Sequence, residues 1–124
     1  MMNTKTLYAK TVGVTFGGRQ DIIRTLDGSE PCRLVPEPTN PYDPNAIAVQ
    51  VAKDGVIHHI GYIKKELAAE IAPAIDGESL MCKIHQLTGG FETYSGDTAA
   101  YGVVLKIEIP DLSEPKEPGH DPRQ

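Results

Sequence analysis

The sequence predicts a mainly β chain of the α+β class: a small, partly open β-barrel carrying two helices. Three observations lead there. Short apolar runs with a period of two recur along the chain, as in "AIAVQVA" over 46–52 and "YGVVLKIEI" over 101–109. Asp54-Gly55, between two such runs, is a strong signal for a two-residue hairpin. Two other segments carry their apolar residues at helical spacing. Short strands joined by hairpins favour an antiparallel barrel over a parallel sheet.

Taken in order, "LYAKTVGVTF" over 7–16 predicts a strand with Val12, Val14 and Phe16 on one face, broken by Gly17-Gly18. "RQDIIRTLDG" follows as a helix on Ile22, Ile23 and Leu26, with Gly28 as its stop. "PCRLVP" over 31–36 is a short strand. The 46–52 run and "VIHHIGYI" over 56–63 form the Asp54-Gly55 hairpin. "KKELAAEIAPAI" over 64–75 is a helix on Leu67, Ile71 and Ile75, which Pro73 should kink or end early. "LMCKIHQL" over 80–87 and the 101–109 run are the last strands, joined by a Gly-rich loop over 88–100. The count is about five strands and two helices, ordered β-α-β-β-β-α-β-β with the first segment split or frayed.

The 124 residues make one domain's worth of chain. Residues 1–109 are expected to form it. Four of the ten prolines fall in 110–124, and that acidic stretch buries too little apolar surface to fold, so disorder is expected there. There is neither an apolar run of roughly 18 residues nor a secretory leader at the start. Cys32 and Cys82 are too few for a disulfide framework. The expectation is a soluble, cytoplasmic protein of a reducing compartment, away from membranes. The formal net charge is −5; the last fifteen residues carry four acidic and two basic side chains, which leaves the body at −3. Any nucleic-acid site must therefore be a local patch.

Three features could carry chemistry. In "EPTNPYDPNAIAV", over 37–49, three prolines and two asparagines hold Tyr42 and Asp43 on a stiff, helix-free loop. An exposed tyrosine face stacks on a base. A carboxylate beside it would accept a terminal hydroxyl and repel a continuing phosphate. The plainer alternative is that Asp43 caps the turn and Tyr42 lies half-buried. In "GYIKKEL", over 61–67, Lys64 and Lys65 open a helix that lacks a capping side chain. Free N–H groups and two ammonium groups would seat a phosphate, or the lysines simply form a solvated face. In the 88–100 loop, Phe91 and Tyr94 could close over a base or tuck under the barrel end.

Metal and catalytic readings are weaker. Cys82 and His85 lie three apart on a strand, which puts them on opposite faces, and His58 and His59 likewise diverge. Asp43-Pro44-Asn45 lacks the glycine and glutamate of a calcium loop. No phosphate-loop, nucleophile-elbow or zinc-protease motif is present. Neither a metal nor a cofactor is expected, and no enzymatic activity.

"LVPEPTNPYDPNAIAVQV" followed by "IGYIKKELAAEIAPAI" resembles the HIRAN domain, whose hallmark is an E-P-N-x-Y-D-x-N-A-I-x-V stretch and then G-Y-(L/I) opening a helix. The resemblance covers roughly Thr11 to Ile109. It implies a compact OB-like barrel. HIRAN domains occur fused to SNF2-type helicases in fork remodelling, and as stand-alone bacterial or phage proteins, the kind expected here. The resemblance implies binding of single-stranded DNA at its 3′-hydroxyl end, without catalysis, in DNA repair or replication-fork processing. On the matching motif positions, Tyr42 would stack on the terminal base and Asp43 would take the 3′-hydroxyl. Tyr62 and Lys65 would face the terminal nucleotide and its phosphate, with Lys64 beside them. Phe16 matches a base-sandwiching aromatic, and Phe91, or failing it Tyr94, would be the late-loop aromatic. Thr15 stands where DNA-binding members can carry an arginine, which removes one phosphate contact. A helicase or nuclease would then be a separate partner chain. The rival reading is a protein-interaction module on the same fold, which the acidic balance favours; an accessory subunit of a nucleic-acid-acting hydrolase or helicase is a third.

Overall fold

The structure, a computed structural model, describes residues 3–111. Six strands and two helices follow the expected order: β1 (Thr4–Val12), α1 (Arg19–Ile23), β2 (Cys32–Pro36), β3 (Ile47–Lys53), β4 (Val56–Ile63), α2 (Lys65–Ile75), β5 (Leu80–Thr88) and β6 (Gly102–Pro110). The strands pair antiparallel in the order β1-β4-β3-β2-β5-β6 and close on themselves. The barrel is thus closed where the sequence reading left it partly open, and the closing seam is short. It consists of Thr11 opposite Ile63 and Val12 opposite Tyr62.

The interior is the alternating set that the periodicity marks. Leu34, Ile47, Val49, Val51, Ile60, Val103, Leu105, Ile107 and Ile109 are all buried, joined by Ala68, Ile71 and Ile75 of α2. Each large aliphatic side chain so placed contributes about 1.5–3 kcal/mol over exposure. The Asp54-Gly55 turn has positive φ at both residues, 53° and 78°, the mirror-image turn that suits the twist of a hairpin. It ties the ends of β3 and β4 at Lys53 and Val56. Lys5 on β1 bonds Glu70 on α2 at 2.9 Å.

Four local expectations are corrected. β1 ends at Val12, and its inward face is Leu7, Ala9 and Thr11, not Val12, Val14 and Phe16. Gly13, at φ 71°, turns the chain, so Val14 and Phe16 lie in a loop and Phe16 is exposed. Helix α1 stops at Ile23, well before Gly28. Leu26 reaches the core through a tight turn closed by its N–H on the Ile23 carbonyl, and the Glu30 carboxylate then accepts the N–H groups of Asp27 and Gly28. Helix α2 runs through Pro73 to Ile75. The proline sits in the last turn, where its missing N–H removes one bond. The buried Ile75 and the bond from Asp76 N–H to Ala72 O hold that turn.

Pro110, read as the head of the tail, is the last residue of β6 and lies opposite Thr4. The remainder of the stretch read as disordered, beyond Asp111, lies outside the described residues.

The seam depends on one residue. A Cβ on Gly61 would lie 2.4 Å from the Val12 carbonyl oxygen and 2.6 Å from Thr11 Cγ2. Only a glycine lets β1 come this close to β4. Gly61→Ala should therefore cost about 1–3 kcal/mol in denaturant unfolding, the range for forcing excess volume into a packed interior. A loss below about 0.5 kcal/mol, the level of an ordinary surface change, would show that the seam tolerates a side chain.

Candidate nucleic-acid interface

The 37–46 loop leaves the end of β2 and enters β3. Its closure is backbone: Glu37 N–H donates to Ala46 O at 2.8 Å and Ala46 N–H to Asp43 O at 3.0 Å. Within it, Asn40 is the central staple. Its Oδ1 accepts the N–H of Tyr42 at 2.8 Å and of Asp43 at 3.1 Å, while its Nδ2 donates to Glu37 Oε1 at 3.0 Å. The prolines restrict the backbone, but the asparagine decides which way it points.

On that scaffold Tyr42 is 91% exposed, so the half-buried alternative does not hold. Asp43 does cap the turn, through Oδ1 accepting the Asn45 N–H at 2.9 Å. Its second oxygen takes no hydrogen bond from the described residues. The loop thus offers an open aromatic face beside a carboxylate oxygen with spare acceptor capacity.

Tyr62, on β4, is joined to this loop in a way the sequence does not reveal. Its hydroxyl donates to Glu37 Oε1 at 2.9 Å, the same oxygen that Asn40 holds. The Arg19 guanidinium stands 5.9 Å from the Tyr62 ring centroid, and His59 meets that ring edge-on at 4.9 Å. Arg19 also donates to Gly13 O at 2.6 Å. Burial, and then the Glu37 hydrogen bond and charge, push the Tyr62 phenol above its ordinary value, with Arg19 opposing.

Gln20 extends the assembly toward the late loop. Its side-chain amide donates to Val14 O and to Tyr101 O, and accepts the Tyr101 N–H at 2.8 Å. It thereby acts as a one-residue strand partner to the start of β6. Beyond that point the 88–100 segment is an ordered hairpin, with a bridge between Glu92 and Thr98. Phe91 is 62% exposed and Tyr94, at the tip, is fully exposed, so neither tucks under the barrel. Tyr101 packs against the core instead.

The structure accordingly brings together Tyr42, Asp43 and Tyr62 through Glu37 and Asn40. It sets Arg19 against Tyr62, with Phe16 exposed in the same turn. Lys64 and Lys65 come one residue after Tyr62, beyond the buried Ile63, exposed at the start of α2, with no side chain capping the helix. No hydrogen bond or ring contact among the described residues joins Phe91 or Tyr94 to the Tyr42 loop. Cys82 points inward, whereas His85 lies outside against Tyr8, ring centroids 4.7 Å apart. Glu37, Asn40 and Gln20 were missed as site residues; the only prior signal was an acid and an amide inside a proline-rich turn.

A family model described as the HIRAN domain matches residues 5–89. The chain belongs to the HIRAN domain family. The crystal structure of the HIRAN domain of human HLTF aligns with a TM-score of 0.49 at 22% identity, covering 86% of this chain and 77% of that one. No curated protein matches the chain. Among the described residues no helix is long and apolar enough to cross a membrane. Within the HIRAN match fall the Tyr42 loop, Gly61, Tyr62 and both lysines, while the Phe91 hairpin falls outside it.

Two predictions test this geometry. Asn40→Ala removes three hydrogen bonds at the staple, worth about 0.5–1.5 kcal/mol each at most. The Tyr42 and Asp43 amides should then exchange with solvent markedly faster, read by hydrogen exchange; unchanged protection would mean the prolines suffice. Second, the Tyr62 phenol should titrate above about 10, the usual value, in ultraviolet difference spectra against Tyr62→Phe. Glu37→Gln should bring it only part of the way down, because burial is the larger cause. Since the folded value is the raised one, the associated stability is whole below about pH 10 and fades as pH rises through the folded value. Titration at or below the usual value would remove Glu37 from the network.

Proposed function

We propose that this HIRAN domain is a non-catalytic module that binds single-stranded nucleic acid at a 3′-hydroxyl end. Family membership supports nucleic-acid binding in general. The observation that carries the finer reading is the Tyr42–Asp43 pair: an open ring face and an unsatisfied carboxylate oxygen, side by side on a loop already held in shape. The ring stacks on the last base. The carboxylate accepts the terminal hydroxyl and repels a phosphate in its place.

Charge geometry supports this reading over the protein-interaction one. Glu37 lies at the centre of the site, yet its carboxylate is engaged by Tyr62 and Asn40. Asp76 lies at the opposite end of α2, about 16 Å away at 1.5 Å per residue. Glu66 is exposed beside Lys65 and offsets one charge, so Arg19, Lys64 and Lys65 leave a modest cationic excess near Tyr62 and would offer phosphate contacts. Phe16, exposed in the Gly13 turn, would meet a second base, and Phe91 or Tyr94 would extend the track. The overall charge of −5 favours the rival, a protein partner, and the same experiment separates them.

Fluorescence anisotropy at one fixed low salt concentration should show preference for a short strand ending in 3′-hydroxyl over one ending in 3′-phosphate. Tyr42→Ala should weaken both by about 1–3 kcal/mol, one stacked base. Asp43→Ala should abolish the preference while sparing most of the affinity for the phosphate end. Equal, feeble binding to both ends by the wild type would overturn end reading and turn attention to capture of a protein partner.

A further inference from the structure

Cys32 and Cys82, fifty residues apart in sequence, stand directly opposite each other on β2 and β5. Opposed residues of an antiparallel pair have Cα atoms about 4.5–5.5 Å apart, inside the roughly 4.4–6.8 Å that a disulfide bridges. Both side chains turn into the barrel, with Cys32 1% and Cys82 7% exposed, and both are free thiols. The facing Cys82 thiol lowers the Cys32 pKa from its ordinary value, against burial and the Glu30 charge, while Cys32 and burial together raise that of Cys82.

The pair also has an entrance. The β2–β5 ladder has three rungs, and Cys32–Cys82 is the outermost; from Lys83 onward β5 pairs with β6 instead. An end rung frays at far lower cost than the global unfolding that would expose a core thiol. Against that rung lies a groove of about 500 Å³ lined by Ser29, Glu30, Pro31, Met81, Cys82 and Lys83. Lys106 lies alongside, in an adjoining smaller hollow that shares Met81, Cys82 and Lys83. Glu30 and Glu108 line the same two hollows, but Lys53 stands 3.9 Å from Glu30, so Lys53, Lys83 and Lys106 outnumber the acids and draw an anionic reactant. All of this lies at the Cys32 end of β2, away from the Tyr42 loop that follows Pro36, so it is independent of the binding site.

We infer that Cys32 and Cys82 are a thiol–disulfide exchange pair that takes an anionic low-molecular-weight disulfide, of the glutathione disulfide class, through this groove. Cys32 ionises first, its proton going to solvent and finally to the second glutathione; the Cys82 sulfur then attacks one sulfur of the disulfide as its own proton passes to the Cys32 thiolate. The disulfide's S–S bond breaks, one glutathione thiolate leaves, and a mixed disulfide remains on Cys82. Cys32 then loses its proton to the departed thiolate and attacks the Cys82 sulfur, expelling the second glutathione. Two protein thiols are oxidised to one disulfide, and one glutathione disulfide is reduced to two thiols.

The test is oxidation of the full-length native chain by glutathione disulfide, followed by intact mass and thiol titration. Expected is the joint loss of both thiols as a monomeric species lighter by two hydrogens, with no retained glutathione and unchanged far-ultraviolet circular dichroism. Cys32→Ser should stop at one glutathione per chain on Cys82, and Cys82→Ser should leave Cys32 unmodified. Should either variant fail to fold, the wild-type result decides alone. The inference is overturned if native protein keeps both thiols while guanidinium-unfolded chain is oxidised, if a glutathione adduct persists on wild-type Cys82, or if the bond forms between chains.

Discussion

The contact of the β1 backbone with Gly61 is the constraint on which the rest of the structure depends. It is the place where a six-stranded sheet becomes a barrel, and the seam has only two rungs. The inward residues of β1 near it, Ala9 and Thr11, are small for the same reason. A larger residue on either strand would hold the seam apart. The next residue after Gly61 is Tyr62, and the residues after Val12 form the turn that carries Phe16 and Arg19. Closing the barrel is therefore the same event as bringing the pieces of the candidate site together.

Around that seam the polar groups are arranged so that an acid lies at the centre of the proposed site. Glu37 takes hydrogen bonds from a phenol and an amide, so its charge is spent on holding the loop to β4. The Arg19 guanidinium stands over the same Tyr62 ring. The other charged groups nearby are the half-buried Asp43 on the loop and the exposed Lys64, Lys65 and Glu66 at the start of α2.

Much of this was legible in the sequence, and the failures share a cause. The hairpin at Asp54-Gly55, the alternating strands and the Ile71–Ile75 face depend on neighbours a few residues away, which periodicity records. The Tyr42–Asp43 loop was legible because its prolines and asparagines act locally. What escaped was set by distant partners. The phase of β1 was misread because Val12, Val14 and Phe16 alternate as a strand would, while Gly13 turns the chain among them and Thr11 replaces an aliphatic residue at the seam. The roles of Glu37 and Gln20 need partners 25 and 81 residues away. Cys32 and Cys82 looked unrelated for the same reason.

Stiffness in the loop also has two separable origins. Pro38, Pro41 and Pro44 narrow the backbone choices in the unfolded chain as much as in the folded one. They reduce the entropy lost on folding but cannot select one bearing for Tyr42. Asn40 selects it, because two consecutive N–H groups converge on its oxygen while its nitrogen is fixed to Glu37, and Glu37 is fixed to the barrel wall through Tyr62. The bearing of the exposed ring is thus inherited from the barrel rather than from the loop. A ring already oriented loses little freedom when a base settles on it, so Asn40 and Glu37 would contribute to the proposed binding without touching the ligand.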